Sequence, residues 1–323
     1  MRVLVTGGAG YIGSVVSAQL LDDGHEVLVL DDLSTGHADA VPAGAALHIG
    51  SIFDAADLFA AEPIDAVMHF AAKSLVGESM QDPALYWHNN VVGTLALLDA
   101  MRSHGVVRMV FSSSAAAYGE LKESPITEDA PNRPTSAYGA TKLAVDLLLN
   151  DFAQCYGMGA VSLRYFNVAG AFVDDERMLG ERHPVETHLL PNALRAADGT
   201  GPALSLYGTD YPTIDGTCVR DYIHVVDLGR AHLAALDVCV PGQHSIINLG
   251  SGTGYSVRQV LNAIESVTGL AVPATPMPRR AGDPAVLVAS NALAGRVLSW
   301  QPTLDLDRMI SDAWHFHRIA HSH

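Results

Sequence analysis

Cysteine is scarce. The three residues, Cys155, Cys218 and Cys239, are widely spaced and form no CxxC pair. That argues against a disulfide framework or a cysteine zinc site and fits a reducing cytoplasm. Positive charge is also short: 19 Lys+Arg face 35 Asp+Glu, for a net charge of −16. Such a chain repels polyanions, so nucleic acid and anionic membrane are poor partners. An anionic small molecule stays open wherever a few arginines gather. No run approaches 18 apolar residues, so no transmembrane helix is expected. The chain begins MRVLVTGGAG, a strand running straight into a glycine loop, which leaves no room for a signal peptide. With 49% apolar residues and no low-complexity tract, disorder, collagen and coiled coil are excluded. Of the 15 histidines, four fall in the terminal run HFHRIAHSH. This reads as a solvated tail, and no metal site is expected.

At 323 residues the chain has room for about two domains. Its first half alternates strand-like and helix-like segments. Arg2–Thr6, Glu26–Leu30, Ala66–Phe70, Arg108–Phe111 and Ala160–Tyr165 read as strands. Ile12–Asp22, Asn89–Ser103 and Thr135–Gln154 read as helices. This pattern predicts an α/β fold, a doubly wound parallel sheet with its ligand crevice at the carboxyl ends of the strands. Beyond about residue 167, Gly- and Pro-rich loops mix with shorter elements, Ser245–Leu249, Val257–Thr268 and Arg308–His315 among them. The expected division is a nucleotide-binding Rossmann domain over 1–167, with 219–237 returning to it. A smaller mixed lobe spans 168–218 and 238–323.

Thr6–Gly13 reads TGGAGYIG. Gly8, Gly10 and Gly13 satisfy GxGxxG, and Gly7, Gly10 and Gly13 satisfy GxxGxxG. Glycines allow the tight turn, let backbone approach a pyrophosphate, and let helix pack on sheet. The helix that follows offers free N–H groups and its positive end. Asp31 stands 18 residues after Gly13, at the end of the second strand, as a ribose-binding acid should. A 2′-phosphate would meet Asp31 and Asp32 with no neighbouring arginine, so NAD is expected rather than NADP.

Tyr138 and Lys142 are four residues apart, on one face of a predicted helix. A tyrosine of ordinary pKa is a poor base at neutral pH. A lysine ammonium one turn away, with a cationic nicotinamide, would favour the phenolate. Ser112, Ser113 and Ser114 follow the strand RMVF at the crevice end. Ser112 and Ser113 read as strand-exit residues.

At these residues the sequence resembles the extended short-chain dehydrogenase/reductases, and among them the 4-epimerases of UDP-sugars. The likeness runs over nearly the whole chain, through TGGAGYIGS, LDDLSTG, FSSSAAAYGE, SAYGATK, LRYFNVAGA, YGTDYPTIDGTCVRDYIHVVDL and PRRAGD. The resemblance implies reversible C4 epimerisation of UDP-glucose and UDP-galactose, through a 4-keto sugar and tightly bound NAD. It implies Tyr138 as base, Lys142 as its electrostatic partner and Ser114 as the hydroxyl-contacting residue. For NAD it implies Gly7, Gly10, Tyr11, Ile12, Gly13, Asp31, Asp32, Ser34, Ser51, Ile52, Phe70, Ala71, Ala72, Asn89 and Phe166, with Tyr138 and Lys142. Ser74, with Lys73 beside it, stands at the family's nicotinamide-ribose position. For the UDP-sugar it implies Ser114, Tyr138, Asn167, His188, Leu189, Tyr207, Arg220, Arg280 and Asp283. Arginines suit a pyrophosphate, and Tyr207 can stack on uracil. The plain alternative for Arg220 is a salt bridge to Asp221 or Asp215.

Three positions depart from the family: Ser51 replaces an aspartate, Ser74 a lysine, and His188 an asparagine. Leu287 stands where the family varies in side-chain size, which bears on N-acetylated sugars. The rival readings are an epimerase or decarboxylase of the same fold acting on UDP-GlcNAc or UDP-glucuronate, and a non-catalytic NAD-binding sensor. A dehydratase needs an acid and a base beside Ser114, where the chain has Ala115, Ala116 and Ala117. A homodimer is expected through the helices that carry Leu95, Leu97 and Leu98 and Leu143, Leu147, Leu148 and Leu149.

Overall fold

The computed structural model describes residues 1–121, 123–280 and 283–320. His321 and His323 of the terminal run lie outside them. Six strands of the first half, β1 (Arg2–Thr6), β2 (Glu26–Asp31), β3 (Ala46–Ile49), β4 (Ala66–His69), β5 (Arg108–Ser114) and β6 (Gly159–Tyr165), are joined by a seventh, His244–Leu249. All pair in parallel, in the order His244–Leu249, β6, β5, β4, β1, β2, β3. The order reverses between β1 and β4, and a crevice opens there beyond the strand ends. β-branched and apolar runs suit a sheet buried on both faces. Val3 and Val5 of β1 face one core with Val16, Leu20, Leu228 and Leu236. Leu4, between them, faces the other with Leu97, Leu98, Met101, Val145 and Leu149.

The helices before β6 are α1 (Tyr11–Asp22), α2 (Ala55–Ala61), the short α3 (Val76–Gln81) and α4 (Pro83–Tyr86), α5 (Gly93–Ser103) and α6 (Ala137–Tyr156). Ser136 caps α6 by accepting the Gly139 N–H, and Gly157 ends it in the left-handed region at φ 73°. None of the described helices is long and apolar enough to cross a membrane.

Several expectations need correction. The strand His244–Leu249, placed above in the smaller lobe, is the edge of the main sheet. The helix Val225–Asp237 packs on α1 and leads the chain back to it. The strand read as ending at Phe111 runs through Ser114, because the serines continue the pairing with Leu163, Arg164 and Tyr165. The helix read from Asn89 starts as a π-turn over Trp87–Val92. Buried Asn90 explains the turn: its carbonyl takes the Thr94 hydroxyl at 2.6 Å, and its side chain holds the turn after β4. β3 and α2 were not foreseen.

The remaining elements build a lobe beyond the strand ends. The helices Leu189–Ala197, Val257–Thr268 and Leu306–Ala320 share one core. Two small sheets flank it: Leu204–Tyr207 with Ala274–Met277, and Tyr255–Ser256, Val219–Arg220 and Val286–Leu287.

Candidate active site

A cleft of about 560 Å³ lies over the β1–β4 reversal. At its floor Gly7 has φ +74°, and a Cβ there would sit 2.6 Å from the Ala71 nitrogen. A Cβ on Gly13 would sit 2.2 Å from the Gly7 oxygen. Glycine is therefore required at both positions. Gly8, whose Cβ would meet Val29, serves packing on β2 instead. The cap residue of α1, Gly10, has no side chain to satisfy the first-turn N–H groups, so those of Tyr11, Ile12 and Gly13 are free for an anion.

Asp31 is buried. Its two oxygens accept the Ala9 and Leu33 N–H groups, each at 2.9 Å. Burial pushes its pKa up, against those two backbone donors. Asp32 is exposed and accepts the Ser34 N–H at 2.9 Å. Lys73 and Lys142 are the lysines of the cleft wall, which has no arginine among the described residues. Both belong to the β4–β5–α6 end, away from Asp31. A cradle that side chains would fill, free helix N–H groups and an isolated carboxylate fit NAD and disfavour a 2′-phosphate.

At the other end, α6 lies against the turn after β5. A Cβ on Gly139 would come 2.3 Å from the Ala116 oxygen. Ser114, Tyr138 and Lys142 meet there. Lys142 donates from Nζ to the Ser112 carbonyl at 2.7 Å, with Nζ 4.8 Å from the Phe111 ring centroid and 5.8 Å from that of Tyr138. Burial lowers its pKa to about 8, against the pull of Asp146. The Ser114 hydroxyl accepts the Ala116 N–H at 3.1 Å. Tyr138 lines the cleft beside them. Burial raises its pKa, and a hydrogen bond with Ser114 is what opposes the rise. Lys142 keeps its charge while one of its N–H groups is held by the Ser112 carbonyl.

The cleft wall includes Ser34, Ser51, Ile52, Phe70, Ala71, Ala72, Lys73, Ser74, Asn89, Phe166, Asn167, His188, Asp283 and Leu287. Four residues expected at the substrate do not reach it: Leu189, Tyr207, Arg220 and Arg280. Arg220 sits behind Asp283, to which it donates from Nη2. Neither acid named for it above is its partner. Asp221 accepts backbone N–H groups of Ser251, Gly252 and Ala289, and Asp215 accepts the hydroxyls of Thr217 and Ser256. The Arg280 guanidinium lies 4.0 Å from the Tyr207 ring centroid. Asn167 donates to the Asp221 carbonyl at 2.8 Å.

The structure adds residues the sequence did not single out. Tyr165 lines the cleft and bonds Ser112 through its hydroxyl. Asn90 binds the Lys73 backbone twice, at 2.8 and 3.0 Å, and donates to Thr141 at 3.1 Å, so it ties the turn after β4 to α6. Glu181 and His183 enter the wall beside His188. The carboxylates raise His183 to about 9 and His188 to about 10. The spacing Glu-x-His-x-x-Glu-x-His was the signal for this group.

Residues 3–250 match the model of the NAD dependent epimerase/dehydratase family. A UDP-glucose 4-epimerase of Corynebacterium glutamicum is 52% identical over 318 residues, 98% of this chain and 95% of that protein. The crystal structure of a UDP-glucose 4-epimerase from Brucella ovis in complex with NAD superposes with a TM-score of 0.93 at 46% identity, covering 98% of each chain. That of a UDP-glucose-4-epimerase from Stenotrophomonas maltophila, with bound NAD and formylated UDP-arabinopyranose, gives 0.94 at 40% identity, covering 99% of this chain and 98% of that one.

Proposed function

The chain belongs to the NAD dependent epimerase/dehydratase family, and from that premise we propose that it interconverts UDP-glucose and UDP-galactose by inverting C4 of the hexose. One observation carries the reading: Ser114, Tyr138 and Lys142 share a single cleft with the glycine cradle and Asp31.

NAD, when bound, would supply the hydride acceptor and donor for C4 of the sugar. The chain does the rest. Gly7, Gly10, Gly13 and the α1 terminus would hold the NAD pyrophosphate, and Asp31 its adenosine ribose. Tyr138 takes the proton of the 4-hydroxyl, directly or through Ser114, and gives it back when the hydride returns. Tyr138 is half-buried in the cleft wall, and its hydrogen bond with Ser114 favours the phenolate. Lys142, anchored on Ser112, fixes a positive charge beside the site. The nucleotide end must be gripped while the sugar turns over. Asp283 and Asn167 stand at the cleft for that end. Arg220 bears on that end through Asp283, to which it donates, and Arg280 rests on the Tyr207 ring beyond the wall. Ala115–Ala117 offer no acid or base beside Ser114, which disfavours a dehydratase.

The residue roles, the lobe that takes the UDP end, the cytoplasmic location and the homodimer are part of this proposal. Leu97, Leu98 and Leu149 are core residues, whereas Trp87, Val92, Leu95 and Leu147 are exposed and supply an apolar face for a second copy. Light scattering on Leu95→Glu/Leu147→Glu should show monomers where the parent shows dimers.

The test of the activity is incubation with UDP-galactose without added NAD, with the anomeric protons followed by NMR. UDP-glucose should appear and reach a constant ratio. No conversion, even with NAD added, overturns the assignment.

A further inference from the structure

Four side chains of one loop, Glu181, His183, Glu186 and His188, bring metal-type donor atoms together, all within 4.8 Å of one another. Nδ1 of His183 lies 2.9 Å from a Glu181 oxygen and 3.7 Å from one of Glu186. Nδ1 of His188 lies 3.3 Å from the other Glu186 oxygen and closer still to Glu181. Ligands held tetrahedrally at zinc distances stand about 3.3 Å apart. The separations here bracket that spacing.

Charge points the same way. The side chains of Glu181 and Glu186 are 7% and 5% exposed. Two carboxylates so buried need positive charge beside them. Arg182, in the same loop, is committed to Asp39. Either two imidazolium rings or one divalent cation must supply the charge. Nδ1 of His188 is hydrogen-bonded to Glu181, as an imidazolium would be, and the geometry at His183 is what favours the ion. Nδ1 of His183 is buried without a hydrogen-bond partner. Its neighbour at 2.9 Å lies off the line along which an N–H would donate. A nitrogen that close to a carboxylate oxygen, yet not donating to it, is placed as a fellow ligand.

We infer that Glu181, His183, Glu186 and His188 bind one divalent cation of the zinc class in a closed, four-coordinate site. Two imidazole nitrogens select zinc over magnesium or calcium, which take oxygen ligands. Glu181, His183 and His188 also line the large cleft, while Glu181, His183 and Glu186 line a second hollow of about 70 Å³ behind it. The ion therefore cross-links the loop that walls the cleft, and its role is to hold that wall.

The test is metal binding by the full chain, stripped with a chelator, then titrated with zinc by calorimetry and with cobalt(II) by visible absorption. One zinc per chain and the intense absorption of tetrahedral cobalt are expected. His183→Gln/His188→Gln, with Glu186→Gln as a second variant, should weaken zinc binding by about a hundredfold or more. No saturable binding by the parent chain overturns the site, whatever the variants do. Unchanged affinity in both variants places the metal elsewhere, the terminal histidines included, and overturns it as well. None of these readouts depends on turnover, so the epimerase reading stands or falls separately.

Discussion

Replacing Tyr138 by phenylalanine deletes one oxygen and should stop turnover without emptying the cofactor site. The ring stays, and Lys142 keeps its bond to the Ser112 carbonyl at 2.7 Å, which does not involve Tyr138. The lost hydrogen bond to Ser114 is offset by relief from burying a phenol, so stability should move by no more than about 1 kcal/mol. The reaction loses its acid and base. Acid–base groups contribute about 10²- to 10⁴-fold, or roughly 3–5.5 kcal/mol of barrier. The assay pairs turnover of UDP-galactose by NMR with the NAD released on denaturing the protein, measured per chain. The expected result is turnover down by about a hundredfold or more at unchanged cofactor content. A variant that keeps a tenth of the parent rate shows that this oxygen does not move the proton. One that loses its NAD shows that Tyr138 holds the cofactor instead.

Other perturbations act on separate parts. Gly13→Ala sets a methyl group 2.2 Å from the Gly7 oxygen, which the loop must yield to. A cost of about 1–3 kcal/mol should weaken NAD binding roughly tenfold to a hundredfold, measurable by calorimetry, and unchanged affinity would refute the cradle. Ser114→Ala should slow turnover about tenfold to a hundredfold by removing the hydroxyl that steadies the phenolate, a smaller loss than Tyr138→Phe. Acid should destabilise the fold through His69 and His232, which burial holds at about 3 and about 4. The unfolded chain takes up these protons below pH 6.5 and the native chain does not. Stability is thus lost as pH falls from 6.5 toward 4, by up to about 1.4 kcal/mol per pH unit for each ring. A denaturation midpoint that is the same at pH 7 and pH 5 would contradict this.

Much of the fold was legible because it rests on local pattern. Runs such as RVLVT and EVLVL announce buried parallel strands, and TGGAGYIG announces the turn between strand and helix. The edge strand β3 escaped because three of its four residues are exposed and carry no buried stripe. His244–Leu249 was seen as a strand but misplaced, since its neighbour in the sheet, β6, lies some eighty residues earlier. At the site, Tyr138 and Lys142 share a helix face, so spacing alone could pair them. Arg220 could not be paired that way. Its sequence neighbours Asp221 and Asp215 are occupied by backbone N–H groups and hydroxyls, and its partner, Asp283, comes from a distant segment. Of Glu181, His183, Glu186 and His188 only His188 was singled out, for the substrate, although the spacing Glu-x-His-x-x-Glu-x-His was there to be read. Their meeting is a product of the fold.

Asn90 makes one end of the cleft wall, the turn after β4 together with α6, a single braced piece. Its side-chain bonds reach both the turn after β4 and α6. In the proposed cycle, that brace keeps Lys142 and the turn carrying Lys73 at one spacing through both hydride transfers.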